Sequence, residues 1–201
     1  MKRNVLFFLI LSSFQVSFSQ GFGAEFLLGA NFSQVDGDQL AGYNKLGLNL
    51  GIQINREIKT DWQAAFEIRY SMKGAKKVID PEAPPSFDLK LSYHYVEVPL
   101  LVKYNGLENI TLYAGPSVGV NVVNKRNENG RISEEDELNP MEFGMHLGAT
   151  YYVSDHLGLD VRHSYSMLSI SNMPFIVNSP TWFGRAGWYN RLFTIGITYK
   201  P

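Results

Sequence analysis

The chain has 201 residues, no cysteine, and 18 Lys and Arg against 19 Asp and Glu. That length suits one domain, and the lack of cysteine excludes disulfides, thiolate metal sites, a cysteine nucleophile and a lipid-modified N-terminal cysteine. There is no basic stripe of the kind that binds nucleic acid, and after Gln20 no apolar run approaches the length of a transmembrane helix.

Residues 1–19 read as a secretory signal. Lys2 and Arg3 precede a short apolar run from Val5 to Leu11, and Ser17 and Ser19 supply small residues before a cleavage site at Gln20. The mature domain is then residues 20–201, with 16 basic and 19 acidic groups.

From there the pattern is period-two alternation in eight segments, the mark of strands with two unlike faces. In residues 22–33, Phe22, Ala24, Phe26, Leu28, Ala30 and Phe32 oppose Gly23, Glu25, Gly29 and Asn31. In 45–55, Leu46, Leu48, Leu50, Ile52 and Ile54 oppose Lys45, Asn49, Gln53 and Asn55. In 62–73, Trp62, Phe66, Ile68, Tyr70 and Met72 oppose Gln63, Glu67, Arg69 and Lys73. Residues 93–104, YHYVEVPLLVKY, set Val96, Val98, Leu100, Val102 and Tyr104 against Glu97, Pro99, Leu101 and Lys103. In 110–123, Ile110, Leu112, Pro116 and Val118 oppose Thr111, Tyr113, Ser117 and Asn121. The last three segments put Phe143, Met145, Leu147 and Tyr151 against Glu142 and His146, then Leu157, Leu159, Val161, His163 and Tyr165 against Asp160, Arg162 and Ser164, then Phe193, Ile195, Ile197 and Tyr199 against Thr194 and Thr198.

Eight such segments of about 10–13 residues fit an all-β, eight-stranded, antiparallel up-and-down transmembrane β-barrel, since soluble strands are shorter. The rival is a soluble lipocalin-like barrel. Two features favour the membrane. Long connections (34–44, 74–92, 124–140, 169–189) alternate with short ones (56–61, 105–109, 153–156). Trp62, Tyr104, Tyr151 and Tyr199 all fall on the apolar face at the short-turn end, as an aromatic girdle requires. Phe32, Tyr70 and Tyr165 are expected toward the other interface. Both termini are then periplasmic.

The stretches at residues 93–104, 112–120 (LYAGPSVGV), 143–166 (FGMHLGATYYVSDHLGLDVRHSYS) and 31–51 (NFSQVDGDQLAGYNKLGLNLG) resemble the PorT-like, "porin family" outer-membrane β-barrel domain of Bacteroidota. The resemblance implies the outer membrane as location and the barrel insertion machinery as a partner. Its named member is linked to type IX secretion and gliding motility, so it also implies an envelope or secretion partner reached through external loops. Thr194, Gly196 and Tyr199 resemble the insertion signal of such barrels, but the chain closes on Lys200-Pro201 instead of an aromatic.

With the apolar face toward lipid, Glu25, Glu67, Arg69, Glu97, Lys103, Glu142, His146, Asp160 and Arg162 point inward. An eight-stranded barrel is just wide enough for its side chains to fill it, so these mixed charges are expected to form a structural plug. A small-solute pore and a catalytic carboxylate pair are the rivals. An outer-membrane lipid-modifying enzyme would need His and Ser at i, i+2 on one face. Here Ser164 adjoins His163 and faces the other way. Asp36-Gly37-Asp38 offers two carboxylates for a divalent cation, but as a plain turn it needs none. The four histidines do not cluster. The expected protein is therefore a monomeric non-enzyme without metal or cofactor, with outer-membrane lipid around it. Pro99, read with a turn centred on Leu107, should face Gly115 and disturb the ladder. Residues 125–137 read as a solvated loop. The aromatic loop 173–189, with Phe175, Trp182, Phe183 and Trp188, is the candidate partner surface or a cover for the barrel mouth.

Overall fold

The computed structural model describes residues 21–38, 40, 42–77, 88–134, 138–171 and 187–201. The signal segment 1–19 lies outside them, as do Phe175, Trp182 and Phe183.

The described residues form β1 (Phe22–Asp36), β2 (Lys45–Lys59), β3 (Trp62–Lys73), β4 (Leu89–Leu107), β5 (Ile110–Glu128), β6 (Arg131–Glu134), β7 (Met141–Tyr152), β8 (Leu157–Ser166) and β9 (Tyr189–Tyr199). Each long strand pairs antiparallel with its neighbours in sequence, β4 with β5 and β1 with β9 included. The ring is closed, so no edge is left to meet lipid with unpaired amides. It is an eight-stranded up-and-down barrel, with β6 a short ninth strand beside the upper part of β5.

The outer face is apolar. Leu48, Ile52, Phe66, Ile68, Leu100, Val102, Leu147, Val161 and Ile195 are all exposed, which water would penalise and lipid would not. Trp62, Tyr151 and Tyr199 are exposed on this face near the short-turn end, and Tyr104 packs on Trp62 with ring centroids 5.0 Å apart. Tyr165 departs from expectation. It is buried and stacks on Tyr189 at 5.9 Å, because the upper end of β8 lies under cover rather than in contact with lipid.

Two further expectations fail in detail. The 124–140 connection is partly a β-hairpin, with β5 running on to Glu128, turning at Asn129-Gly130 and returning as β6. Both turn residues have positive φ, 51° and 83°, the conformation that an Asn-Gly pair adopts at low cost. The β4–β5 turn is Glu108-Asn109, closed by the Leu107–Ile110 pair, and sets Pro99 opposite Ser117 rather than Gly115. Pairing still fails near the prolines. The β4–β5 ladder skips from Pro99–Ser117 to Val102–Ala114, and the β3–β4 ladder skips from Arg69–Glu97 to Phe66–Leu100. Register is unchanged across both gaps, so there is a weakened stretch and no bulge. A residue in an antiparallel ladder addresses its amide to one neighbour only, so the missing donors interrupt two ladders instead of one.

The lower and upper parts of β4 have opposite patterns. Below Tyr95, Glu97, Pro99 and Lys103 face inward and Val96, Leu100 and Val102 outward. Above it, Leu89, Leu91, Tyr93 and Tyr95 are buried and Lys90 is exposed. Those four join Val35, Ala75 and Ile170, with Leu40, Leu138 and Trp188 packed against them. The change marks where the strands leave the apolar medium: once the outside is wet, the inside can form an ordinary hydrophobic core.

Candidate functional site in the barrel interior

The eight inward charges named above and His146 bury almost completely, and they meet in three tiers. Nearest the short turns, Glu25 accepts from Asn55 Nδ2 at 2.7 Å, Lys103 Nζ at 3.1 Å and Thr198 Oγ1 at 3.1 Å. The Tyr152 hydroxyl donates to it at 3.3 Å, and the Lys200 ammonium lies over the Tyr152 ring, 3.5 Å from its centroid. These groups come from strands far apart in sequence and cross the lower mouth.

The middle tier is a two-point ion pair. Arg162 donates through Nη1 to Glu67 Oε2 at 2.7 Å and through Nη2 to Oε1 at 2.8 Å. Glu67 is on β3 and Arg162 on β8. Four steps separate these strands in a ring of eight, so the pair spans the full width of the lumen. Arg162 Nε donates to the Tyr113 hydroxyl at 2.9 Å, which donates to Asp160 Oδ2 at 2.6 Å. The guanidinium also rests on the Tyr113 ring. Arg69 bonds Asn49 Oδ1 at 2.5 Å and Glu67 at 3.5 Å.

The upper tier is Lys73 between Glu97 and Glu142, the latter at 2.8 Å. Ser166 Oγ and Asn190 Nδ2 donate to the same Glu142 at 2.6 and 3.1 Å. Lys73 alternates inward in the sequence but was not among the expected charge network. Only the fold shows that it holds two carboxylates together. Tyr113, with Leu101 and Ala65, forms a small apolar contact inside the lumen. Its ring lies against Gly148, its cross-strand partner, where any Cβ would overlap it. Glycine opposite a large ring is the only detectable sequence signal for that packing.

His146 bridges two hydroxyls, Ser117 Oγ at Nε2 (2.8 Å) and Ser164 Oγ at Nδ1 (2.7 Å). No carboxylate orients it among the described residues, and both hydroxyls are buried with it. His163 lies half-buried on the other face, away from Ser164. The same residues therefore fill space and satisfy one another's hydrogen bonds.

Among the described residues no group of three or more His, Asp or Glu could hold a metal ion. Asp36 accepts from Gln34 Nε2 at 2.5 Å and lies 3.4 Å from Arg191 Nε. Asp38 instead accepts from the Leu40 amide at 2.7 Å. Burial pushes the Asp38 carboxyl up to about 7; the Leu40 amide opposes this and Asp36 adds to it. The folded value lies above the unfolded one of 3.8, so the protonated group's stabilisation is complete below about pH 4 and is lost as pH rises through 7. The thermal midpoint in detergent is therefore expected to fall more between pH 5 and pH 8 for the native chain than for Asp38→Asn. Equal falls would overturn this assignment.

Residues 13–172 match the outer membrane protein beta-barrel domain family. The chain belongs to that family. Among solved structures, this outer-membrane barrel is similar to neisserial surface protein A, with 17% identity over 90% of this chain and 100% of that one and a TM-score of 0.58. It is also similar to the attachment invasion locus protein Ail of Yersinia pestis, with 17% identity over 91% and 100% and a TM-score of 0.54. Likeness at this identity establishes the fold. No curated protein matches the chain.

Proposed function

We propose that this outer-membrane barrel is a monomeric, non-conducting and non-enzymatic envelope component that acts through its long loops. The observation that carries this reading is the Glu67–Arg162 pair, which crosses the lumen between opposite strands with Tyr113 and Asp160 packed on it. The lower and upper tiers add two more barriers to a solute. The aromatic girdle at Trp62, Tyr104, Tyr151 and Tyr199 is read as the periplasmic interface. A PorT-like accessory role in secretion would then belong to the loops at the other end, where Trp188 covers the apolar core of the mouth.

Planar-bilayer recording of the purified protein tests the plug. No stable openings are expected, and unit conductance steps that survive repurification would overturn it. Orientation is tested separately. A protease site inserted near Glu128, at the exposed hairpin, is expected to be cut in intact cells, and one near Asn105 to be protected. The opposite pattern would reverse the topology. A pull-down from intact envelopes then seeks the loop partner.

A further inference from the structure

In the interior Arg69, Lys73, Lys103 and Arg162 are ion-paired, but three exposed lysines at the long-loop end are not. Lys76, Lys90 and Lys125 are exposed, and none has a carboxylate within ion-pair distance among the described residues. They gather on one side of the rim. Lys76 is bridged to Lys90 across β3 and β4, and Lys125 pairs with Ser92, the next outward position of β4. His94 is the outward residue after that, held by the Tyr70 hydroxyl at 2.6 Å. Lys45, buried behind them, is in electrostatic reach of both His94 and Lys90, and Lys125 is in reach of His94.

The height of this cluster matters as much as its charge. Val96 is the last outward apolar residue of β4, and Leu46, 63% exposed, is the last of β2. Extending the β2–β3 and β3–β4 registers puts Leu46, Gly74, Ser92 and Lys125 in one cross-strand row, with Lys76 and Lys90 one row higher. The cations thus begin directly where the apolar face ends. Among the described residues the opposite half of the rim has no counterpart. Met141, Met167 and Leu168 are exposed there, and Arg191 is engaged with Asp36. Among the described residues the nearby acids are Asp88, two residues from Lys90, Glu128, held by Arg126 at 3.3 Å, and Glu134, the cross-strand partner of Lys125, and none of the three forms an ion pair with these lysines.

We propose that Lys76, Lys90 and Lys125, with His94, bind the phosphate groups of the outer-leaflet glycolipid. A lipid whose acyl chains lie on Val96, Val120 and Leu46 carries its phosphates at the level of these cations, and unpaired lysines beside a membrane attract such anions. The proposal rests on the orientation given above.

The test uses the full mature chain in neutral detergent, titrated with bisphosphorylated lipid A and read by native mass spectrometry. Lys76→Gln/Lys90→Gln/Lys125→Gln is expected to need about a hundredfold more lipid for half-occupancy, with heat-modifiable migration retained. Lys59→Gln, at the short-turn end, should bind like the native chain. Dephosphorylated lipid A should bind the native and triple-variant chains alike. Equal binding of bisphosphorylated lipid by both would overturn the site, as would displacement by equimolar inorganic phosphate, which would mark an adventitious ion only. Detergent has no inside or outside, so failure here leaves the orientation intact. Failure of the protease test would remove the outer leaflet as the source of the lipid.

Discussion

Arg162→Met is expected to destabilise the barrel by about 3–5 kcal/mol, the usual result of removing one partner of a buried ion pair. The loss is read from the guanidinium chloride midpoint of refolded protein in detergent. The guanidinium makes three described hydrogen bonds, two to Glu67 and one to Tyr113, and Glu67 is fully buried. Methionine fills much of the volume but leaves the carboxylate, among the described residues, with only the Arg69 ion pair at 3.5 Å. The cost is therefore an abandoned charge, not a cavity. Glu67→Leu/Arg162→Leu removes both charges and is expected to recover most of the loss, because each ion's desolvation cost disappears with it. A single variant within about 0.5 kcal/mol of the native chain would mean that water reaches this tier, and the plug reading would go with it.

Gly115→Ala is expected to cost about 3 kcal/mol, at the upper end for overpacking. A Cβ at Gly115 would overlap the Leu100 carbonyl oxygen, and backbone cannot swing aside as a side chain can. The site lies in the gap where the β4–β5 ladder is interrupted beside Pro116. Strands already short of hydrogen bonds would then be forced further apart. Gly119→Ala serves as the control. It lies on the same inward face, but its Cβ would meet the Glu97 Cγ at 3.2 Å, which a small rotation relieves. A loss under about 1 kcal/mol is expected there. Equal losses would show that the close approach at Gly115 is not what limits that position.

Much of the barrel was legible because strand periodicity is local. Leu46, Leu48, Leu50, Ile52 and Ile54 declare an outer face without any knowledge of a partner strand, and Glu67 and Arg69 declare the inner one. Missed features were of two kinds. The Asn129-Gly130 hairpin was locally encoded but hidden by the charged residues around it. The inversion at Tyr95 was visible as Leu89, Leu91, Tyr93 and Tyr95 in alternation, yet it contradicts a rule that holds only within lipid.

By itself, the sequence determined the eight strands of the barrel, the closed antiparallel ring and the alternation of faces along each of them, because side chains alternate regardless of what surrounds the strand. Only the tertiary structure decided that Arg162 meets Glu67, that Lys73 joins Glu97 to Glu142, and that Lys76, Lys90 and Lys125 share one side of the rim. Those pairings depend on register and on which strands stand opposite in the ring. A two-residue shift of one ladder changes which inward groups share a tier without altering a single face, whereas a one-residue shift would turn a whole strand over.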